Sequence, residues 1–345
     1  MNYRPLGRTG VKVSPIAMGS SSSGQKGPDG HRRLVAEAID LGINFFDTAN
    51  IYGDDEVRLG DAIEHYGQRE RVILATKVEG PVRPDDPNGS GLSRRHIVEQ
   101  CERSLRRLKT DWIDLYQFHC SHGSTIPIDE PLRAMDDLIR AGKVRYCGAS
   151  HFAAWQLMES LWVSRELGLN RLACEQAVYH PLDRTIEREL LPFARTYGHG
   201  VILWSPVAGG FFNGRVGREG RYRHIERVLQ DRRDAGYGDD VERTRQRAHD
   251  VADVFRAIAQ EKQCTATELV LAWDLAAPGV TSAIVGMKGS EQLRSAIAAL
   301  DLTLTDDDHR RIDAVARPRQ AVVPFNDCNG SPPLNSDWGP HLYRW

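Results

Sequence analysis

Asn44-Phe45-Phe46-Asp47-Thr48-Ala49-Asn50-Ile51-Tyr52 is an apolar run that ends in a carboxylate and is followed, five residues on, by a phenol. Residues 43–46 predict a buried strand that delivers Asp47 at its end, with Gly53 and the acidic pair Asp54-Asp55 just beyond Tyr52. In parallel α/β folds the carboxyl edge of the sheet is where strands deliver reactive side chains. Taken alone, the stretch has a plainer reading, in which Asp47 caps the next turn or helix and Tyr52 packs on it.

Outward from this strand the chain alternates. Short apolar runs at 16–19, 43–47, 72–76, 112–118, 144–149, 172–175, 201–203 and 281–285 predict strands. Helix-spaced segments at 30–41, 56–65, 93–108, 130–141, 154–167, 186–197, 245–275 and 290–299 follow them. Eight strand–helix units without a composition break favour one domain over residues 1–345, a closed (β/α)8 TIM barrel rather than an open doubly wound sheet. A hairpin within 1–15 is expected to plug the barrel's bottom. Residues 211–244, rich in Arg, Gly and Asp, are expected to form a long mobile surface loop after the seventh strand. The tail 318–345 carries Phe325, Trp338, Tyr343 and Trp345, too aromatic for a disordered segment, and is expected to fold back over the body. The loop Gly19-Ser20-Ser21-Ser22-Ser23-Gly24 does not match G-x-G-x-x-G, which argues against a dinucleotide fold of the Rossmann type.

Bulk properties exclude several classes. Of 345 residues, 41% are hydrophobic and 27% charged, typical of a soluble globular chain, and the net charge of −2 gives no footprint for nucleic acid or an anionic membrane. No apolar run reaches the length of a membrane span, and the segment Met1-Asn2-Tyr3-Arg4-Pro5 lacks the apolar stretch of a signal peptide. The six cysteines form no C-x-x-C pair and read as reduced core residues of a cytoplasmic protein. An oligomer of identical chains is compatible with all of this. With seven lysines against 38 arginines, a lysine at a strand end stands out as retained for its own chemistry.

The predicted strand ends carry Asp47 with Tyr52, Lys77, His119, Ser150, Gln176, Trp204-Ser205 and Lys288. Singly, Lys77 reads equally as a surface ion-pair partner and His119 as a core histidine. Together, Asp, Tyr, Lys and His on strands two, three and four converge on one barrel mouth. This set resembles the catalytic tetrad of the aldo-keto reductases. The flanking segments agree: Gly42-Ile43-Asn44-Phe45-Phe46-Asp47-Thr48-Ala49 with Tyr52-Gly53, Asp114-Leu115-Tyr116-Gln117-Phe118-His119, Gly142 to Ser150, and Trp204-Ser205-Pro206. The resemblance spans about residues 1–312 in the expected order.

It implies reduction of an aldehyde or ketone to an alcohol, or the reverse, by hydride transfer from NADP(H). Tyr52 would be the general acid, Lys77 would favour its ionisation, Asp47 would hold Lys77, and His119 would orient the carbonyl oxygen. No metal is expected. Ser150 and Gln176 would bind the carboxamide, although His151 follows Ser150 where relatives often have Asn. Trp204 would stack on the nicotinamide, Ser205, Val207, Gly209 and Arg215 would line the pyrophosphate, and Gly286, Lys288 and Gln292 would hold the adenosine 2′-phosphate and adenine. A cation at Lys288 favours NADP over NAD. Substrate choice would come from loops at 122–126 and 211–244 and from the tail, with Trp338, His341, Tyr343 and Trp345. Two other readings stay open. One is a cofactor-sensing subunit of a larger complex, like the channel-associated members of the family; the other is a Schiff-base aldolase using Lys77.

Overall fold

In a computed structural model, residues 1–20, 27–83, 85–120, 126–214, 222–234 and 240–325 are described. A short antiparallel pair, β1 (Arg4–Pro5) and β2 (Lys12–Val13), precedes β3 (Ile16–Gly19), β4 (Phe45–Asp47), β5 (Ile73–Val78), β6 (Ile113–Phe118), β7 (Val144–Ser150), β8 (Cys174–Val178), β9 (Gly200–Trp204) and β10 (Val280–Gly286). Among the described residues, β3 to β10 pair in sequence order, all in parallel, and β10 closes on β3. Between them run α1 (Gly27–Asp40), α2 (Asp55–His65), α3 (Arg94–Leu108), α4 (Asp129–Arg140), α5 (Ala154–Leu167) and α6 (Leu190–Tyr197). The expected (β/α)8 barrel is present.

The hairpin does close the bottom. Arg4 Nη1 donates to the carbonyls of Leu275 (2.9 Å) and Val280 (3.1 Å), and the Arg8 N–H donates to Gly198 O (2.9 Å), all at the amino ends of the last strands. Gly7 has φ +58°, and a Cβ there would lie 2.6 Å from Ala173 O and 2.7 Å from Gly200 N, so only glycine seats the turn this deeply.

Inside the barrel, side chains stack in layers, because alternate residues of each strand face inward. Leu6 and Val13 of the hairpin segment cover a buried apolar layer of Ala17, Phe45, Ala75, Leu115, Cys174, Ile202 and Ile284. Two residues further along the same strands come Gly19, Asp47, Lys77, Gln117, Gln176, Trp204 and Gly286. The polar layer therefore rests on a water-free floor, at the end opposite the hairpin.

Two expectations about the second half need correction, and one helix was not foreseen. Residues 211–244 do not form one loop: α7 (Arg223–Asp234) lies within them and buries Ile225, Val228 and Leu229 at helical spacing, while the Arg245–Glu226 pair (2.8 Å) ties it to α8 (Val241–Glu261). The segment expected as one helix over 245–275 is two, α8 and α9 (Ala266–Ala276). Thr265 caps α9, its Oγ1 accepting the Glu268 N–H while the Glu268 carboxylate accepts the Thr265 N–H at 2.9 Å. After α10 (Ser290–Ala298) comes a further helix, α11 (Asp306–Val315), started by a similar reciprocal cap between Thr305 and Asp308. Beyond it, Val322 and Val323 donate to Leu182 O, and Phe325 is buried edge-on against His180 with ring centres 4.6 Å apart. Residues 121–125, 215–221, 235–239 and 326–345, with Trp338, His341, Tyr343 and Trp345, lie outside the described residues. No described helix is long and apolar enough to cross a membrane. Burial pushes the Cys101 and Cys147 thiols up to about 12, so both stay protonated at neutral pH.

Burial likewise pulls His180 down to about 3 from its ordinary 6.5. Its folded form stays neutral where the unfolded form takes up a proton, so the associated stability is complete above the unfolded pKa and is lost as pH falls from there towards the folded one. Replacing His180→Leu should shrink the loss of unfolding free energy between pH 7 and pH 4.5 by about 2–3 kcal/mol. Denaturant titrations at the two pH values measure this; an equal loss in both proteins would refute it.

Candidate active site

Asp47, the last residue of β4, and Lys77, in β5, meet inside the barrel. Lys77 is fully buried, its Nζ pairing with Asp47 Oδ2 and donating to Thr48 O at 2.8 Å. Burial alone pulls the ammonium pKa down, but Asp47, Tyr52 and Glu56 together outweigh it, and the net shift is upward. Glu56, itself buried, accepts from Thr76 Oγ1 and from Arg107 Nε, each at 2.6 Å, and so braces β5 from its outer face. A charged lysine inside this barrel is thus held by a carboxylate against the cost of desolvation.

Tyr52 sits in the loop between β4 and α2. Lys77 Nζ lies 5.3 Å from the centre of its ring. The phenol oxygen is 3.3 Å from Nε2 of His119, which follows β6, and the two rings meet edge to face with centres 5.6 Å apart. The four residues expected to act together are therefore brought together. The expected direction of Tyr52's acidity is not what the free protein has. Burial pushes the phenol up, Lys77 pulls it back, and the charges of Asp47 and Asp55 add to the rise, for a net upward shift. Without substrate, Tyr52 is a neutral phenol carrying its proton, with the lysine offsetting part of the burial.

Sequence reasoning missed Gln117. It lies in β6, fully buried, and donates to Asp47 Oδ1 at 3.2 Å. Gln176 of β8 donates to the same oxygen at 3.0 Å and to Gln117 Oε1 at 3.3 Å. The signal was its spacing, since Leu115, Gln117 and His119 fall on one face of a period-two strand. Asp55 was noted only as one of an acidic pair; it is buried beside Tyr52 and lies 3.4 Å from Arg58.

The residues expected around a nicotinamide nucleotide occupy the same end. Ser150, the last residue of β7, donates to Gln176 O at 2.8 Å. Next to it His151 is left-handed (φ 59°) and tilts against Trp204 at the end of β9, ring centres 5.2 Å apart. The chain then turns left-handed at Ser205 (φ 53°), Ala208 (φ 49°), Gly209 (φ 65°) and Gly210 (φ 93°), and Ser205 Oγ accepts the Gly209 N–H at 3.1 Å. Runs of this conformation turn main-chain N–H groups into anion-holding concavities, which fits a pyrophosphate. Val207 is half-buried in this turn; Arg215 lies outside the described residues. Across the mouth, Gly286 ends β10, Lys288 is exposed at the start of α10, and Gln292 Oε1 accepts the Lys288 N–H at 2.7 Å. A lysine at a helix amino end suits a phosphate.

A sequence profile of the aldo/keto reductase family matches residues 15–317. The chain belongs to the aldo/keto reductase family. Among related family members, the "uncharacterized oxidoreductase YrpG" of Bacillus subtilis (strain 168) is 37% identical, over 91% of this chain and 96% of its own. A "probable voltage-gated potassium channel subunit beta" of Oryza sativa subsp. japonica is 32% identical over 92% of this chain and 98% of its own. A "putative voltage-gated potassium channel subunit beta" of Schizosaccharomyces pombe (strain 972 / ATCC 24843) is 32% identical over 91% and 92%. The family's barrel and the constellation at its mouth thus coincide in one chain.

Asp47→Ala should cost about 3–5 kcal/mol of unfolding free energy at pH 7, because it strands a buried ammonium. The paired change Asp47→Leu with Lys77→Met should recover most of that loss. Chemical unfolding of the three proteins checks this; a double variant no more stable than Asp47→Ala would show that the pair's charges are not what matters.

Proposed function

We propose that this protein is an NADP(H)-dependent carbonyl reductase, working also in reverse as an alcohol dehydrogenase, with a small-molecule carbonyl or alcohol as substrate. The observation that carries the reading is the phenol of Tyr52, 3.3 Å from His119 Nε2 and above a buried Lys77 held by Asp47. A bound nicotinamide supplies the hydride. Everything else falls to the chain. Trp204 offers a flat face to the ring, with Ser150 and Gln176 reaching the carboxamide; Ser205, Val207 and Gly209 line the pyrophosphate; Gly286, Lys288 and Gln292 take the adenosine end. Lys288 favours the 2′-phosphate of NADP over NAD.

A substrate carbonyl oxygen that accepts from both Tyr52 and His119 is oriented and polarised before it gains negative charge. As that charge develops, Tyr52 gives up its proton to the oxygen. The phenolate left behind is stabilised by Lys77, whose positive charge favours the ionised form. Burial keeps the proton on Tyr52 until then, which is the state reduction requires.

A second reading rests on the relatives named as potassium channel β subunits: a cofactor-sensing subunit of a larger complex. The presence of Tyr52, Lys77, Asp47 and His119 together favours turnover over sensing alone. A Schiff-base role for Lys77 has less support, because its ammonium is buried and paired, where an amine nucleophile must be neutral.

Tyr52→Phe should lower the reduction rate by at least about a hundredfold, the scale of a lost general acid, with NADPH affinity within a few fold of wild type. NADPH consumption across aldehydes, ketones and keto-sugars, with fluorescence titration of NADPH, measures both. Substantial activity in the variant would overturn the assignment, and negligible turnover in a wild type that binds NADPH and captures a partner would favour the subunit. Because the raised phenol stays protonated at neutral pH, reduction should hold its rate into the alkaline range, while oxidation, which needs the phenolate, should climb with pH. Matching pH profiles in the two directions would refute this.

A further inference from the structure

Asp47 has two oxygens, and the barrel interior treats them differently. Oδ2 belongs to Lys77. Oδ1 is shared by the amide nitrogens of Gln117 at 3.2 Å and Gln176 at 3.0 Å, and these two side chains are joined to each other at 3.3 Å. An ionised carboxylate only accepts, so both amides must present their N–H sides to it. Gln117 reaches no solvent, and its side chain bonds Asp47 and Gln176. Gln176 is near the mouth, and its main-chain carbonyl is bonded by Ser150.

We propose that Gln117 is a positioning residue that keeps Asp47 hydrogen-bonded when Gln176 turns to the cofactor, so that the two glutamines couple the cofactor seat to the Lys77–Asp47 pair. The proposal rests on the reading of this site as an NADP(H) site. The physical need is specific. A carboxamide oxygen that recruits the Nε2 of Gln176 removes one of the two donors on Oδ1. A buried acceptor left without any donor is penalised in full, because no water replaces the lost bond. With Gln117 in place one donor remains, and Gln176 is free to move. With an apolar residue there, releasing Gln176 strips Oδ1 bare, so cofactor binding must work against that loss. Asp47's charge, no longer shared with an amide at Oδ1, then bears more heavily on Lys77 and Tyr52.

The titratable groups around this position are Asp47 and Lys77 beside it, Cys174 in the layer below, and Tyr52 with His119 towards the mouth, and burial holds the Cys174 thiol protonated. A glutamate at 117 would share a proton with Asp47, since two adjacent buried carboxyls do not both ionise. Protonated, it donates to Oδ1 as the glutamine does; ionised, it repels Asp47.

The test uses full-length Gln117→Met and Gln117→Glu proteins, with NADPH affinity read by fluorescence titration from pH 5.5 to 9. Gln117→Met should bind NADPH about 3–10-fold more weakly at every pH, the scale of one buried hydrogen bond. Gln117→Glu should bind close to wild type at the acidic end and lose affinity as pH rises, while the wild-type affinity changes much less. A residue that only packs the barrel would lower the melting temperature without giving the glutamate variant its own pH dependence. Wild-type-like affinity in Gln117→Met, or a Gln117→Glu profile parallel to wild type, would overturn the coupling. If Gln117→Met does not fold, the glutamate variant alone decides. A wild type that binds no NADPH would instead remove the cofactor reading, and this inference with it, whereas normal wild-type binding with unaltered variants removes the coupling alone.

Discussion

A lysine with no exposure to water, inside a barrel whose next layer down is apolar, constrains everything around it. An ammonium there costs several kcal/mol unless it is paired and hydrogen-bonded. The chain meets that cost with Asp47 from the neighbouring strand, with the carbonyl of Thr48 just beyond, and with glutamine amides that occupy the carboxylate's second oxygen. Parallel registry makes this arrangement available. Lys77 stands opposite Gln117, and Asp47 stands opposite Ala75, one inward-facing position before Lys77, so side chains from three adjacent strands enter one space. The N-terminal hairpin belongs to the same constraint, because it covers the far end, so that among the described residues the polar layer opens towards the mouth.

The acidity of Tyr52 follows from opposing effects of unequal size. Burial is the larger and holds the proton on; Lys77 is the largest opposing one. In a carbonyl reductase this is a useful starting state, since a phenol that ionised too early would have nothing to give. The lysine matters most once negative charge moves from the substrate oxygen to the phenol, when attraction to the ammonium grows and the neutral form's advantage from burial is already spent. In the proposed reaction Lys77 would act on the product side of the proton transfer more than on the resting protein, which is the form of differential stabilisation that raises a rate.

Much of this was legible in the sequence, for a reason that can be stated residue by residue. Each predicted strand is a short apolar run terminated by a polar side chain, and that punctuation located Asp47, Lys77, His119, Ser150, Gln176 and Trp204 at one edge. What escaped was structure whose signal lies across elements or is diluted. The three buried apolar residues of α7, Ile225, Val228 and Leu229, stand in a segment otherwise made of charged and polar side chains, which made it look aperiodic. The break between α8 and α9 was written in Thr265-x-x-Glu268, but the apolar periodicity on both sides hid it. Gln117 was overshadowed by His119 two residues on, although period two places both on the same face. The sign of Tyr52's shift was out of reach, because it depends on how much protein surrounds the ring and not on which charge stands near it.

The glutamine pair also bears on why a fully buried polar side chain occupies the middle of β6 at all. Leu115, two residues earlier, faces the apolar layer, and a leucine at 117 would extend that layer upward at no cost in unsatisfied groups. It would also leave Asp47 Oδ1 dependent on Gln176 alone, the one donor that the family resemblance assigns to the nicotinamide carboxamide. If, as proposed, the amide that holds the carboxylate of Asp47 also meets a cofactor, a second amide behind it keeps Oδ1 hydrogen-bonded. The interior of β6 supplies one, at hydrogen-bonding distance from both.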